Sequence, residues 1–131
     1  MPVSIPYIHC AQAIALFYHS LDQQDNETLL SCLAPDTVWI RQGKTLTGPD
    51  QILEALEQRN PDRITSHQFS NLHVALDKDG ATAVATYYLT VYDNQHPSTS
   101  LQLKTILRSK DIFRRKNDNW LLAKKQSSKH L

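Results

Sequence analysis

Two residues in this sequence have the type and the placement to move a proton. His67 interrupts Ile64 to Leu76, a stretch that otherwise reads as a long β-strand. Asp22 ends the apolar stripe of the first expected helix. At about 100° per residue, Ile8, Ala11, Ile14, Ala15, Tyr18 and Leu21 share one helix face, while Gln12, Ser20, Gln23 and Gln24 lie opposite. Asp22 follows Tyr18 by one turn and so projects from the apolar face. A carboxylate there is costly unless it has a partner or reaches water. A histidine and a carboxylate aimed into one apolar cavity form an acid/base pair, in which Asp22 orients the imidazole and His67 moves the proton. A positive partner keeps Asp22 ionised despite burial. The plainer alternative is a buried polar pair that stabilises the fold without chemistry.

The elements that must position this pair can be read from the pattern. The first helix runs from about Ile8 to Gln24, and Asp25 can cap a short second one, Asn26 to Leu33, which Pro35 stops. Thr37 to Ile40 is β-prone, and the turn Gln42-Gly43-Lys44 leads into Thr45 to Thr47. Gly48-Pro49-Asp50 starts a third helix that reaches about Arg59 before Asn60-Pro61 ends it. The rest is strand: Ile64 to Leu76, Ala81 to Tyr92, Ser100 to Arg115 and Trp120 to Lys125, joined by Asp77 to Gly80, by the loop Asp93 to Ser98 and by Asn117 to Asn119. Turn residues between β-rich runs indicate an antiparallel meander. Helices first and a long sheet afterwards make an α+β fold with the helices on one sheet face. A curved antiparallel or mixed sheet wrapped on three helices is a cone, whose mouth suits a small molecule. In the strand that carries His67, the residues His67, Phe69 and Asn71 share one parity, and Leu72, Val74 and Leu76 the other. A bulge near Ser70-Asn71 puts both sets on the concave side.

Composition bounds the function. The 131 residues fit one domain, with a core from about 8 to 125 and a disordered-leaning tail over 126–131. Net charge is +1 and the basic residues are dispersed, which leaves no footprint for nucleic acid; Lys124-Lys125-Gln126-Ser127-Ser128-Lys129-His130 reads as a solvated tail. No apolar run approaches the roughly 20 residues that span a bilayer. The N-terminus shows no basic region followed by an apolar stretch, so a cytoplasmic protein is expected. Cys10 and Cys32 read as free buried thiols in a reducing compartment. No metal is expected, because no Cys/His spacing suggests a site, and the three glycines exclude a P-loop or dinucleotide turn.

Five segments together resemble the SnoaL-like group of the nuclear-transport-factor-two-like, cone-shaped α+β superfamily. They are Phe17 to Asp25, Leu33 to Trp39, Leu46 to Ile52, Thr65 to Asn71 and Asp111 to Trp120, so the resemblance covers about Ile8 to Lys125. That superfamily hosts many activities. The ketosteroid isomerase pattern places a tyrosine and a catalytic aspartate where Phe17 and Arg41 stand here. Scytalone dehydratase is more similar: Asp22 and His67 match its helix aspartate and first histidine. Its second histidine falls near Tyr88, its asparagine near Ser109, and two of its tyrosines at Leu21 and Arg41. The resemblance thus implies a retained proton-transfer pair with a different substrate-binding set.

The resulting expectation is an enzyme without a cofactor, acting on a small, largely apolar, oxygenated molecule by dehydration, isomerisation or cyclisation. His67 is the base or acid, Asp22 its orienter, and the Tyr88 hydroxyl a donor to a substrate oxygen. Tyr18, Trp39, Phe69 and Phe113 are candidate cavity walls that contact substrate. Asp36 reads as a capping or turn residue, and Asp111 as a partner of Arg114 or Arg115 or a pocket-edge contact. A homodimer paired through the outer sheet faces is expected, as in many relatives. The alternatives are a non-catalytic ligand-binding or interaction module and a structural subunit like the β subunit of ring-hydroxylating dioxygenases.

Overall fold

Helix-forming and strand-forming patterns separate along the chain as expected, and the sheet does the positioning. The computed structural model describes residues 5–94 and 100–131; most of the loop expected over 93–98, with His96, lies outside the described residues. The elements are α1 (Ile5–Gln23), α2 (Asn26–Ser31), β1 (Leu33–Arg41), β2 (Lys44–Thr47), α3 (Gly48–Glu57), β3 (Thr65–Leu76), β4 (Thr82–Asp93), β5 (Gln102–Lys116) and β6 (Asn119–Lys129). The strands form one curved, open sheet in the order β2-β1-β6-β5-β4-β3. β3 to β6 make the antiparallel meander, and β1 joins β6 in parallel, so the sheet is mixed.

α1 buries Cys10, Ile14, Phe17, Tyr18 and Leu21 against the concave face. This is the expected helical stripe turned toward Phe17; Ile8 is exposed, and Ser20 is buried with its hydroxyl donating to the Leu16 carbonyl at 2.7 Å. That local bond satisfies the hydroxyl and lets a polar residue join the buried side. Asp25 caps α2, accepting from the Thr28 amide at 3.2 Å. The helix ends two residues earlier than expected because Leu33 already opens β1. Pro35 falls where the β1–β6 pairing is interrupted, between Leu33 and Val38, where its missing N–H costs no ladder bond. Gly48 turns β2 into α3 at φ +83°, a conformation that is cheap only for glycine.

Three bulges decide which side chains face inward. In β3 the register shifts between Ser70 and His73, and Asn71 takes φ +55°. Asparagine tolerates this left-handed conformation better than other non-glycine residues. The bulge lets Phe69 on one side and Leu72 and Val74 on the other all pack on the core, as the parity change in the sequence implies. In β5, Val91 pairs with Thr105 and Tyr92 with Leu103, so Lys104 is the extra residue. In β6, Phe113 pairs with Leu122 and Ile112 with Lys124, so Ala123 is the extra residue. This last bulge turns Lys125 inward, and β6 continues to Lys129, correcting the expectation of a disordered-leaning tail over 126–131. Pairing with β5 out to Leu107–Lys129 supplies the order that composition did not suggest.

Replacing Asn71 by valine is expected to destabilise the protein by about 1–2 kcal/mol, since a β-branched residue resists the left-handed conformation. Asn71→Gly should stay close to wild type. Urea denaturation of the two variants checks this; equal stabilities would remove the conformational argument.

Candidate active site

Asp22 stands in the last turn of α1 and His67 near the start of β3, two elements packed on each other. The His67 ring donates from Nδ1 to Asp22 Oδ1 at 2.6 Å. The same carboxylate accepts the His67 backbone N–H at 2.9 Å on Oδ2 and the Thr65 hydroxyl at 2.8 Å on Oδ1. Burial pushes the Asp22 carboxyl up, but the bonds from the His67 side chain, the His67 backbone and Thr65 outweigh it, and the net direction is down. An ionised carboxylate only accepts, so Nδ1 must carry the hydrogen and Nε2 of the neutral ring holds the lone pair. The Tyr18 ring stacks on the imidazole, with centroids 5.4 Å apart and planes 19° apart, which fixes its tilt.

The depressed Asp22 value carries a stability consequence with a definite sign. A carboxylate whose folded value lies below its unfolded value stabilises the fold above about pH 4, and that contribution disappears as pH falls through the folded value. Wild type is therefore expected to exceed Asp22→Asn in stability at pH 6, with the gap closing below about pH 4. Denaturant titrations at both pH values measure it; a gap that widens in acid would contradict the assignment.

A cavity of about 390 Å³ opens beside His67, with Asp22 behind the imidazole and outside the cavity lining. Tyr18 and His67 contribute to it from one side, and Leu21, Trp39, Leu89 and Leu107 form apolar wall. Tyr18 and Trp39 thus stand where the sequence suggested. Phe69 does not line this cavity; it borders a shallow groove between α1 and β3 that also touches Asp22 and His67, and it packs edge-on against Tyr87. Phe113 is buried core rather than wall. Tyr88 is corrected: it is 37 % exposed on the opposite face of the sheet, with its ring beside His130. The inward positions of β4 are Ala83, Ala85, Tyr87, Leu89, Val91 and Asp93. The threonines of β4, at 82, 86 and 90, share the parity of Tyr88 and were the signal that this parity faces outward.

Beneath Tyr18 lies a polar cluster that sequence reasoning missed. The Lys125 ammonium donates to Tyr18 Oη at 3.0 Å, Tyr87 Oη at 2.8 Å and Asp111 Oδ2 at 2.8 Å. Tyr87 also donates to Asp111 Oδ2 at 2.8 Å, and the two tyrosine oxygens are 3.1 Å apart. Lys125 and Asp111 are each 1 % exposed. Burial pulls the Lys125 ammonium down, but Asp111 and the Tyr18 oxygen push it further up, so it stays charged. Asp111 therefore pairs with Lys125 rather than with Arg114, which instead pairs with Asp36 on the surface. With Tyr87 donating to Asp111, the Tyr18 hydrogen goes to Tyr87, and the cluster anchors the ring that stacks on His67.

Both cysteines are free and buried. Burial, with Asp111 adding to it, pushes the Cys10 thiol up to about 11, and burial raises Cys32 as well, so neither is poised as a nucleophile. Among the described residues, no helix is long and apolar enough to cross a membrane.

The sequence that folds into these helices and this curved mixed sheet matches a known family along almost the whole chain. The SnoaL-like domain model matches residues 8–126. The chain belongs to the SnoaL-like family. Comparison with curated proteins gave no match. Among solved structures, this SnoaL-like protein is similar to Aln2 from a Streptomyces species, at a TM-score of 0.85 and 20% identity over 98% of this chain and 94% of that one. It is also similar to a candidate dehydratase of the NTF2-like family from Streptomyces avermitilis, with a TM-score of 0.79 and 20% identity over 96% of each chain. A third structure is a Catenulispora acidiphila protein in complex with S-DNPA, with a TM-score of 0.77 and 24% identity over 92% of this chain and 90% of that one. At these identities the structural likeness establishes the shared NTF2-like fold.

Proposed function

We propose that this SnoaL-like protein is a cofactor-independent lyase or isomerase that moves a proton on a small, largely apolar, oxygenated molecule. The carrying observation is the 2.6 Å contact between Asp22 and Nδ1 of His67, whose ring lines a cavity with an apolar wall of Leu21, Trp39, Leu89 and Leu107. With Nδ1 committed to Asp22, Nε2 is the ring nitrogen left for substrate. In a dehydration, His67 Nε2 takes a proton from a carbon beside a carbonyl. A carbon–carbon double bond forms, the β carbon–oxygen bond breaks, and the new imidazolium returns the proton to the departing hydroxyl as water. Isomerisation uses the same abstraction and returns the proton to a different carbon. Asp22 stabilises the imidazolium between the two transfers. A pure binding module needs no such pair in contact with its ligand, so the geometry favours catalysis over that reading. A candidate dehydratase among the structural neighbours, and another neighbour holding a small molecule, are in keeping with it. The test is a screen of small cyclic hydroxy ketones for water loss or double-bond migration, followed by ultraviolet absorbance. His67→Ala protein serves as the blank, and equal activity in the blank removes this reading.

A further inference from the structure

The mouth of the cavity is charged in one sense. Arg41 at the end of β1, Arg59 just past α3, Arg63 ahead of β3, Lys104 in the β5 bulge and Lys129 at the end of β6 all line it. No aspartate or glutamate lines the same cavity among the described residues, and the nine remaining residues of the sequence contain none. These five cations come from five separate segments, so no single element's surface composition explains their convergence.

Two of the five have a counter-ion. Asp93 engages Arg63 at 3.3 Å and Lys104 at 3.6 Å. Among the described residues, no ion pair reaches Arg41, Arg59 or Lys129. Asp22 acts on Arg59 only at longer range, and its own oxygens are taken by His67 and Thr65. The Arg41 guanidinium is held 4.9 Å over the Trp39 ring, on the cavity wall, which pre-orients its donors. Burial and the mutual repulsion of Arg41, Arg59 and Arg63 lower the values of Arg41 and Arg59, as expected for like charges gathered without compensation. Half-buried guanidiniums crowded in this way gain most from an arriving anion.

We propose that the cavity takes an apolar body carrying one oxyanion, a carboxylate or a phosphate monoester, which Arg41, Arg59 and Lys129 hold at the mouth while the apolar part lies against Leu21, Trp39 and Leu107. This rests on the cavity being the substrate site proposed above and narrows the substrate class to acidic molecules. The arrangement anchors one end of the molecule at the mouth and presents the other to His67. It also makes entry sensitive to ionic strength.

The experiment is calorimetric titration of wild type with 2-naphthoate, 2-naphthyl phosphate and the neutral 2-naphthamide, at low and high salt. At least one anion is expected to bind about tenfold or more tightly than the amide, with the preference shrinking in salt. Which anion it is tells a carboxylate site from a phosphate site. In Arg41→Gln/Arg59→Gln the preference should collapse while the amide binds as before. If that variant does not fold, the exposed Lys129→Gln decides, since it should weaken the preferred anion but not the amide. Equal binding of all three ligands to wild type, or a preference that survives Lys129→Gln unchanged, overturns the oxyanion site and leaves the cavity as a small-molecule site. Failure of all three to bind overturns the inference together with the cavity reading on which it rests.

Discussion

Turnover by His67→Ala and by Asp22→Asn is expected to fall about 10²–10⁴-fold, with both proteins still folded. The alanine removes the group that carries the proton. The asparagine is the more informative change, because it keeps the shape and removes only the charge and one acceptor. In wild type, Asp22 Oδ1 accepts from the His67 ring and Thr65, and Oδ2 accepts the His67 backbone N–H. An asparagine can satisfy one side of this set only. If its oxygen faces the ring, its amide nitrogen meets the backbone N–H, donor against donor. If it flips, the amide donates to Nδ1 and forces the hydrogen onto Nε2, the nitrogen needed as base. Either state disables the proposed step, and neither stabilises an imidazolium. Steady-state turnover on a substrate from the screen, with circular dichroism to confirm folding, measures it. Unchanged turnover in either variant would refute the pair, whereas Tyr88→Phe, on the far face of the sheet, should leave turnover as it was.

The parts of this site that were legible in the sequence are those where one local pattern is broken by one residue. Asp22 on an apolar helix face and His67 in a strand each announced a buried polar group, and the parity change from Phe69 to Leu72 announced the bulge that Asn71 makes. The family resemblance, in contrast, drew attention to Tyr88, while the threonines sharing its parity pointed outward and left Tyr87 for the interior. Asp111 shares its parity with Phe113 and Leu107 and so had a visible signal, which a neighbouring run of arginines obscured. Lys125 had none. Before Ala123 the inward residues of β6 are Trp120 and Leu122, and strict alternation would then have sent Lys124 inward and Lys125 out. The bulge at Ala123 reverses this, and it exists because of pairing with β5, a contact between distant parts of the chain. The cationic mouth was hidden for a similar reason: its members are scattered through the sequence and meet only once the sheet has curved around the helices.

Lys125→Met is expected to destabilise the protein by about 3–5 kcal/mol, since it strands a buried carboxylate that has lost its partner. The Lys125 ammonium also lies 4.4 Å over the Phe17 ring and 4.5 Å over the Tyr18 ring, so the site is lined to hold a cation. Asp111→Asn should cost a comparable amount by leaving the ammonium uncompensated. The pair itself is not optimally solvated: Asp111 Oδ1 is buried and finds no hydrogen-bond partner among the described residues. An ion pair with an orphaned oxygen repays little of its desolvation. The double variant Lys125→Met with Asp111→Leu should therefore recover most of the stability that Lys125→Met loses, a strong coupling visible in a denaturation cycle. Additive losses in that cycle would mean that the two groups do not act as a pair. The stability recovered should not bring back turnover in full, because Tyr18 loses the ammonium that holds its hydroxyl and its ring is the plane against which His67 stacks. Recovered stability with full turnover would assign the buried pair to folding alone; recovered stability with impaired turnover makes Lys125 a positioning residue for the imidazole.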